Sequence, residues 1–187
     1  MPVGDAEPGN QPTGALPVPP IPRAALVTGG AQRIGRALSL ALAEDGFAVA
    51  VHYHGSRDAA ENLVELIRSQ GGAAVTLAAD LADEGAISAL LPRAELELGP
   101  IGCLVNNAAH QASFKSIADI TDHEWEHTFK VNIHAMFYLT KAAVPHMKKG
   151  ACIINTASIN ADMPNPTLLA YATTKGAIQN FNDPRWL

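Results

Sequence analysis

The sequence predicts a doubly wound α/β sheet, with parallel strands and helices on both faces. Three observations predict it. Short apolar runs, of the length usual for buried strands (about 4–8 residues), recur along the chain. Between them lie longer stretches whose apolar residues repeat at helical spacing. Glycines stand where one period gives way to the other, first in TGGAQRIG (28–35). Strand and helix alternating this regularly imply right-handed crossovers and a three-layer α/β/α arrangement of Rossmann type.

AALVT (24–28) reads as the first buried strand. After the glycine turn, Ile34, Ala37, Leu38, Ala41 and Leu42 share one helical face, and Gly46 closes that helix. FAVAVHY (47–53) is the second strand. Leu63 and Ile67 mark a second helix, stopped by Gly71-Gly72, and AAVTLAAD (73–80) is the third strand. Ile87, Leu90, Leu91, Ala94 and Leu98 give a third helix, which Pro92 is expected to kink or split. IGCLVNNA (101–108) and ACIINTAS (151–158) are the fourth and fifth strands. Between them a long segment from about Thr121 to Lys149 is mostly helical. The last helix opens near Tyr171 and is expected to stop at Pro184.

Composition bounds the function. A chain of 187 residues suits one core of ordinary size. Its 48 % hydrophobic and 17 % charged residues belong to a soluble globular protein. Residues 1–22 carry seven of the thirteen prolines and are expected to form an extended, mobile tail, leaving 23–187 as one domain. A net charge of −5 gives no general attraction to nucleic acid or to an anionic membrane. The two cysteines, Cys103 and Cys152, sit in strand-like runs and read as small buried residues of a reducing compartment. No apolar stretch is long and unbroken enough to span a bilayer, and the acidic N-terminus is no secretory signal. A cytoplasmic location is the default expectation.

Two stretches carry chemistry. In TGGAQRIG, glycines let a backbone approach a ligand, and the helix that follows offers free N–H groups to a phosphate. Dinucleotide sheets that prefer NAD place a carboxylate at the end of the second strand. Here that end reads His52, Tyr53, His54, Gly55, Ser56, Arg57, with no acid before Asp58. Arg33 and Arg57 could instead meet a 2′-phosphate, so NADP(H) is expected over NAD(H). In YATTK, Tyr171 and Lys175 are one helical turn apart, which sets a proton donor beside an ammonium.

Taken in order, TGGAQRIG, Asp80, NNAA (106–109), Asn132 in KVNIHAMF, Ser158 in NTASI and YATTK resemble the short-chain dehydrogenase/reductase family. The resemblance covers about Arg23 to Phe181. Its first half, with TGGAQRIG and HYHGS, is similar to the NADP-using pteridine-reductase and ketoreductase branch. Its second half is closer to general members acting on small alcohols and sugars. The resemblance implies strand order 3-2-1-4-5. It also implies an oxidoreductase interconverting a carbonyl and an alcohol on a small molecule by hydride transfer. Tyr171 would be the acid/base, Lys175 its tuner and a grip on the nicotinamide ribose, Ser158 the substrate anchor and Asn132 a relay residue reaching the lysine through water. Around the cofactor it implies Thr28, Gly29, Arg33, Ile34 and Gly35 at the turn. His54, Ser56 and Arg57 follow the second strand, Asp80 and Leu81 lie near the adenine, and Asn106 and Ala108 end the fourth strand. A homo-oligomer through the long helix before the fifth strand and the last helix is a further expectation.

Three departures stand out. Arg33 occupies a turn position usually held by a small residue, and NNAA stands for the family's NNAG. The sequence also stops before the family's sixth and seventh strands and substrate loop. A truncated chain that binds dinucleotide but turns substrate over poorly is therefore the alternative reading. A rival signal is HEWEH (123–127), which fits the H-E-x-x-H zinc pattern. The third ligand fails it: Lys130 and Ile133 occupy the extended motif's glycine and histidine positions, and no glutamate follows Glu126. No metal is expected.

Overall fold

The apolar runs become five strands: β1 (Ala24–Val27), β2 (Ala48–Tyr53), β3 (Ala74–Ala78), β4 (Ile101–Asn106) and β5 (Cys152–Asn155). All pair in parallel in the order β3-β2-β1-β4-β5, as expected. A computed structural model describes residues 22–182, so the tail expected over 1–22 lies almost wholly outside the described residues, and the stop at Pro184 does too.

Helices α1 (Arg33–Glu44) and α2 (Arg57–Ser69) cover one face. Helices α3 (Glu84–Leu98), α4 (Asp122–Phe129), α5 (Ala135–Ala143) and α6 (Leu169–Phe181) complete the set. Because β1 and β4 are buried on both sides, their sequences run apolar rather than alternating, up to Asn106 at the end of β4. Leu26, Leu77 and Leu104 pack against Ile87 and Leu90 of α3 and Leu139 of α5. Val27, Val49, Val51 and Val105 pack on the other side against Ala60, Leu63 and Ile67 of α2. Each fully buried Leu or Val contributes roughly 1.5–3 kcal/mol.

The structure corrects two expectations. Pro92 does not split α3, which runs unbroken through it. Ser88, the residue whose carbonyl loses its partner, lies with Pro92 on the exposed side, where water can replace the missing N–H. The cysteines also part company: Cys103 is buried and Cys152 exposed. β5 is the sheet's edge among the described residues, and Cys152 and Ile154 stay open to solvent.

Candidate active site

The carboxyl ends of β1, β4 and β5 and the start of α6 meet at one place, because parallel strands deliver all their C-terminal loops to the same edge of the sheet. At β1, the Thr28 hydroxyl donates to the Val105 carbonyl (3.1 Å) and accepts from the N–H groups of Asn107 (2.9 Å) and Ala108 (3.1 Å). Asn107 returns the tie, its Nδ2 donating to the carbonyls of Thr28 (3.0 Å) and Gly29 (3.3 Å). NNAA therefore works as a brace for the glycine turn. Asn107 and the Ala108 N–H do the bracing, and Asn106 and Ala108, expected at the cofactor, both line the cavity beside it.

The turn has no room for side chains at its closely packed glycines. Gly29 has φ +59°, and a Cβ there would lie 3.0 Å from the Ala108 Cα. A Cβ on Gly35 would collide with the Gly29 carbonyl. Between them, Gln32 begins α1 without a side-chain cap, leaving N–H groups of the first turn free. Arg33 takes φ +50°, costly for a residue with a side chain, and lies exposed beside Ile34, itself 62 % exposed. This is a backbone cradle of the kind a pyrophosphate needs.

His52 holds the cradle from below. It is buried; its Nδ1 accepts from the Gly29 N–H (3.0 Å) and its Nε2–H donates to the Ala79 carbonyl (3.2 Å). Those two partners require the neutral ring, and burial pushes its pKa down from 6.5 to about 4. His52 and His54 do not share a strand face, since β2 ends at Tyr53 and His54 lies exposed beyond it. The signal for His52 was a polar residue inside an otherwise apolar run. The unfolded chain takes up a proton at its histidine near pH 6.5 while the folded one does not. Stability is therefore complete above that pH and falls as pH drops towards 4, by roughly 3 kcal/mol over the window. In an NMR titration His52 should stay neutral at about pH 5; a normal histidine midpoint would contradict this wiring.

Past β2, Arg57 opens α2 and pairs with Glu61 (3.1 Å), with 73 % of its side chain exposed. That exposed pair is weak and leaves the guanidinium free to turn elsewhere at little cost. Ser56 precedes the helix without capping it. Asp80 accepts from the N–H of Ala82 (2.8 Å), and Leu81 is buried in the core.

Asn106, Asn132 and Lys175 come together inside. Thr28, Leu81, Asn106, Ala108, Asn132 and Lys175 line one small cavity. Asn106 Nδ2 donates to Asn155 Oδ1 (2.8 Å) and Thr140 Oγ1 (3.3 Å), while its buried Oδ1 has no protein partner among the described residues. Asn132 sits in a π-type turn (Lys130–His134) between α4 and α5. Its side chain clasps the His110 backbone, accepting from N–H (2.7 Å) and donating to C=O (3.0 Å), and also donates to Thr174 Oγ1 (3.0 Å). Asn132 thus reaches α6 through Thr174, the residue next to Lys175.

Lys175 is 2 % exposed, and its ammonium donates to the Thr156 carbonyl at 2.6 Å. Burial pushes its pKa down to about 8. Its Nζ lies 5.5 Å from the centre of the Tyr171 ring, so the phenol and the ammonium share the face that their spacing predicts. Ser158 follows β5 and accepts from the N–H of Asn160 (3.2 Å), leaving its hydroxyl proton available.

HEWEH forms most of α4, and Glu124 is engaged elsewhere: its Oε1 lies 2.8 Å from His110 Nε2. Among the described residues no cluster of three or more His, Cys, Asp or Glu could hold a metal. No helix among them is long and apolar enough to cross a membrane.

Comparison with known proteins gives a consistent answer. The family model described as short chain dehydrogenase matches residues 23–184. General stress protein 39 of Bacillus subtilis is 41 % identical over 159 residues, covering 85 % of this chain and 56 % of its own length. The chain thus spans about half the length of the curated relatives it matches. A short-chain dehydrogenase of Burkholderia cenocepacia, solved with NADP, superposes with TM-score 0.80 at 34 % identity, over 84 % of this chain and 64 % of its own. The angucycline C-6 ketoreductase LanV, solved with NADP, superposes with TM-score 0.80 at 33 % identity, over 85 % and 64 % respectively.

Proposed function

The chain belongs to the short-chain dehydrogenase family, and from that premise we propose that it is an NADP(H)-dependent oxidoreductase interconverting a carbonyl and an alcohol. The observation that carries the reading is the buried Lys175 beside Tyr171, on a cavity that Thr28, at the start of the glycine turn, also lines. NADP(H), when bound, supplies or accepts the hydride. The cradle fits its pyrophosphate because only glycine backbone is tolerated at positions 29 and 35. Arg33, with Arg57 released from Glu61, would hold the 2′-phosphate.

Reduction of a ketone leaves an alkoxide that needs a proton. Tyr171 donates it, but a phenol with pKa near 10 gives it up poorly at neutral pH. Moving that pKa towards 7 requires about 4 kcal/mol of preference for the phenolate. The ammonium of Lys175 provides much of that field in a site where water screens little. Ser158 donates its free hydroxyl proton to the substrate oxygen. Asn132 fixes the His110 loop against α6 and so holds Lys175 in register. Two NADP-bound neighbours, a short-chain dehydrogenase and a ketoreductase, support the cofactor and the reaction class. Dinucleotide binding without efficient turnover is the second reading, favoured by the exposed edge of β5 beside Ser158.

Calorimetric titration should find NADPH bound about tenfold or more tighter than NADH, one charge-assisted hydrogen bond being worth roughly 1.5–3 kcal/mol. Arg33→Ala should erase most of that gap while sparing NADH. Equal affinities in the native chain would refute the cofactor assignment. NADPH oxidation with a panel of ketones then separates the enzyme from the binding module.

A further inference from the structure

Cys103 and Cys152 are the chain's two cysteines, and they are register partners on the adjacent parallel strands β4 and β5. Registered residues face the same side of a sheet, and neighbouring strands lie about 4.8 Å apart, inside the roughly 4.4–6.8 Å Cα spacing that disulfides span. The two thiols lie near enough to influence each other's ionisation. Their environments differ: Cys103 is 1 % exposed, whereas Cys152 lies open on the edge strand. The candidate catalytic machinery uses neither.

We propose that Cys103 and Cys152 are a redox modification site, closing reversibly to a disulfide that ties the edge strand β5 to β4. The oxidant is a peroxide. The Cys152 sulfur, as thiolate, attacks one peroxide oxygen and breaks the O–O bond, giving a sulfenic acid and, after protonation, water. The Cys103 sulfur then loses its proton and attacks the Cys152 sulfur, forming the S–S bond and releasing a second water. In sum two thiols and one hydrogen peroxide give one disulfide and two waters. The order follows from access, since only Cys152 meets solvent. Burial and the contact with Cys152 push the Cys103 thiol up to about 12, so it stays protonated until its partner has been oxidised. A disulfide also needs the Cβ atoms at about 3.5–4.5 Å, closer than flat strands hold them. β5 is the sheet's edge among the described residues, so it can make that small shift. The strand that moves leads directly into Thr156 and Ser158.

Hydrogen peroxide applied to the purified full chain tests this. The expected product is a monomer about 2 Da lighter, with both thiols lost to alkylation, a joined Cys103–Cys152 peptide after digestion, and reversal by dithiothreitol. The bridge closes a loop of about fifty residues, so the oxidised chain should also melt several degrees higher. Cys152→Ser, a change at an exposed position, should abolish the mass loss and the thermal shift together. A disulfide-linked dimer through Cys152, or Cys152 oxidised to sulfinic acid while Cys103 still alkylates, would overturn the proposal.

Discussion

Lys175→Met is expected to lower whatever turnover the chain supports about a thousandfold and yet leave the protein more stable. On the proposed role of Tyr171 as acid, the loss follows from the roughly 4 kcal/mol of phenolate stabilisation it would need, much of which this ammonium would supply. The gain follows from burial. Lys175 is 2 % exposed, and its pKa stands at about 8 rather than 10.5. Between those two values the unfolded chain holds the proton and the folded chain does not, so stability rises with pH across that window. Below it, folding must bury a charge. A shift of this size corresponds to roughly 3 kcal/mol. Losing the charge-assisted bond to the Thr156 carbonyl offsets about 2 kcal/mol, so a net gain of about 1 kcal/mol remains at neutral pH. Tyr171→Phe, by contrast, should lose turnover with no such gain. Urea unfolding beside NADPH oxidation assays compares the three chains. A destabilised Lys175→Met, or one that keeps its turnover, would show that the ammonium is a structural part and not a functional cost.

Gly35→Ala should be the most damaging single methyl group in the dinucleotide cradle. The added Cβ would overlap the Gly29 carbonyl and crowd the Asn107 amide that braces the turn. Neither can yield without moving α1 or β4, so a loss of several kcal/mol in stability and at least a hundredfold in NADPH affinity is expected. Gly29→Ala should cost less, about 1–2 kcal/mol for the left-handed backbone, plus a squeeze against Ala108. Gly55→Ala meets open space and should be close to silent. Thermal unfolding and NADPH titration of the three variants give the ranking. If Gly35→Ala bound NADPH as tightly as Gly55→Ala, the cradle would not be the phosphate site.

These outcomes depend on residues of two kinds, and the sequence exposes only one kind readily. Tyr171 and Lys175 were legible because helix geometry alone puts residues four apart on one face. The central strands β1, β2 and β4 were legible because a strand buried on both sides is apolar along most of its length. Gly29 and Gly35 stood out because a turn against a helix leaves no space for a side chain. His52, Asn107, His110 and Thr174 were missed as parts of the site. Each acts on a partner distant in sequence: His52 on Gly29 across 23 residues, Asn107 on Thr28 across 79 and Asn132 on Thr174 across 42.

Cys152 and Pro92 make the same point from the other side. By local pattern Cys152 is one more apolar strand residue, and Pro92 one more helix breaker. Whether a strand is central or at an edge, and whether an orphaned carbonyl faces protein or water, depends on how the whole sheet is stacked. By itself, then, the sequence determined the α/β architecture, the glycine turn and the Tyr–Lys pair, because periodicity and steric demand act within a few residues. Only the tertiary structure decided that His52 is neutral, that Lys175 is buried against Thr156 and that the two cysteines are register partners. Burial and long-range hydrogen bonding set those properties, and both exist only once distant segments have packed.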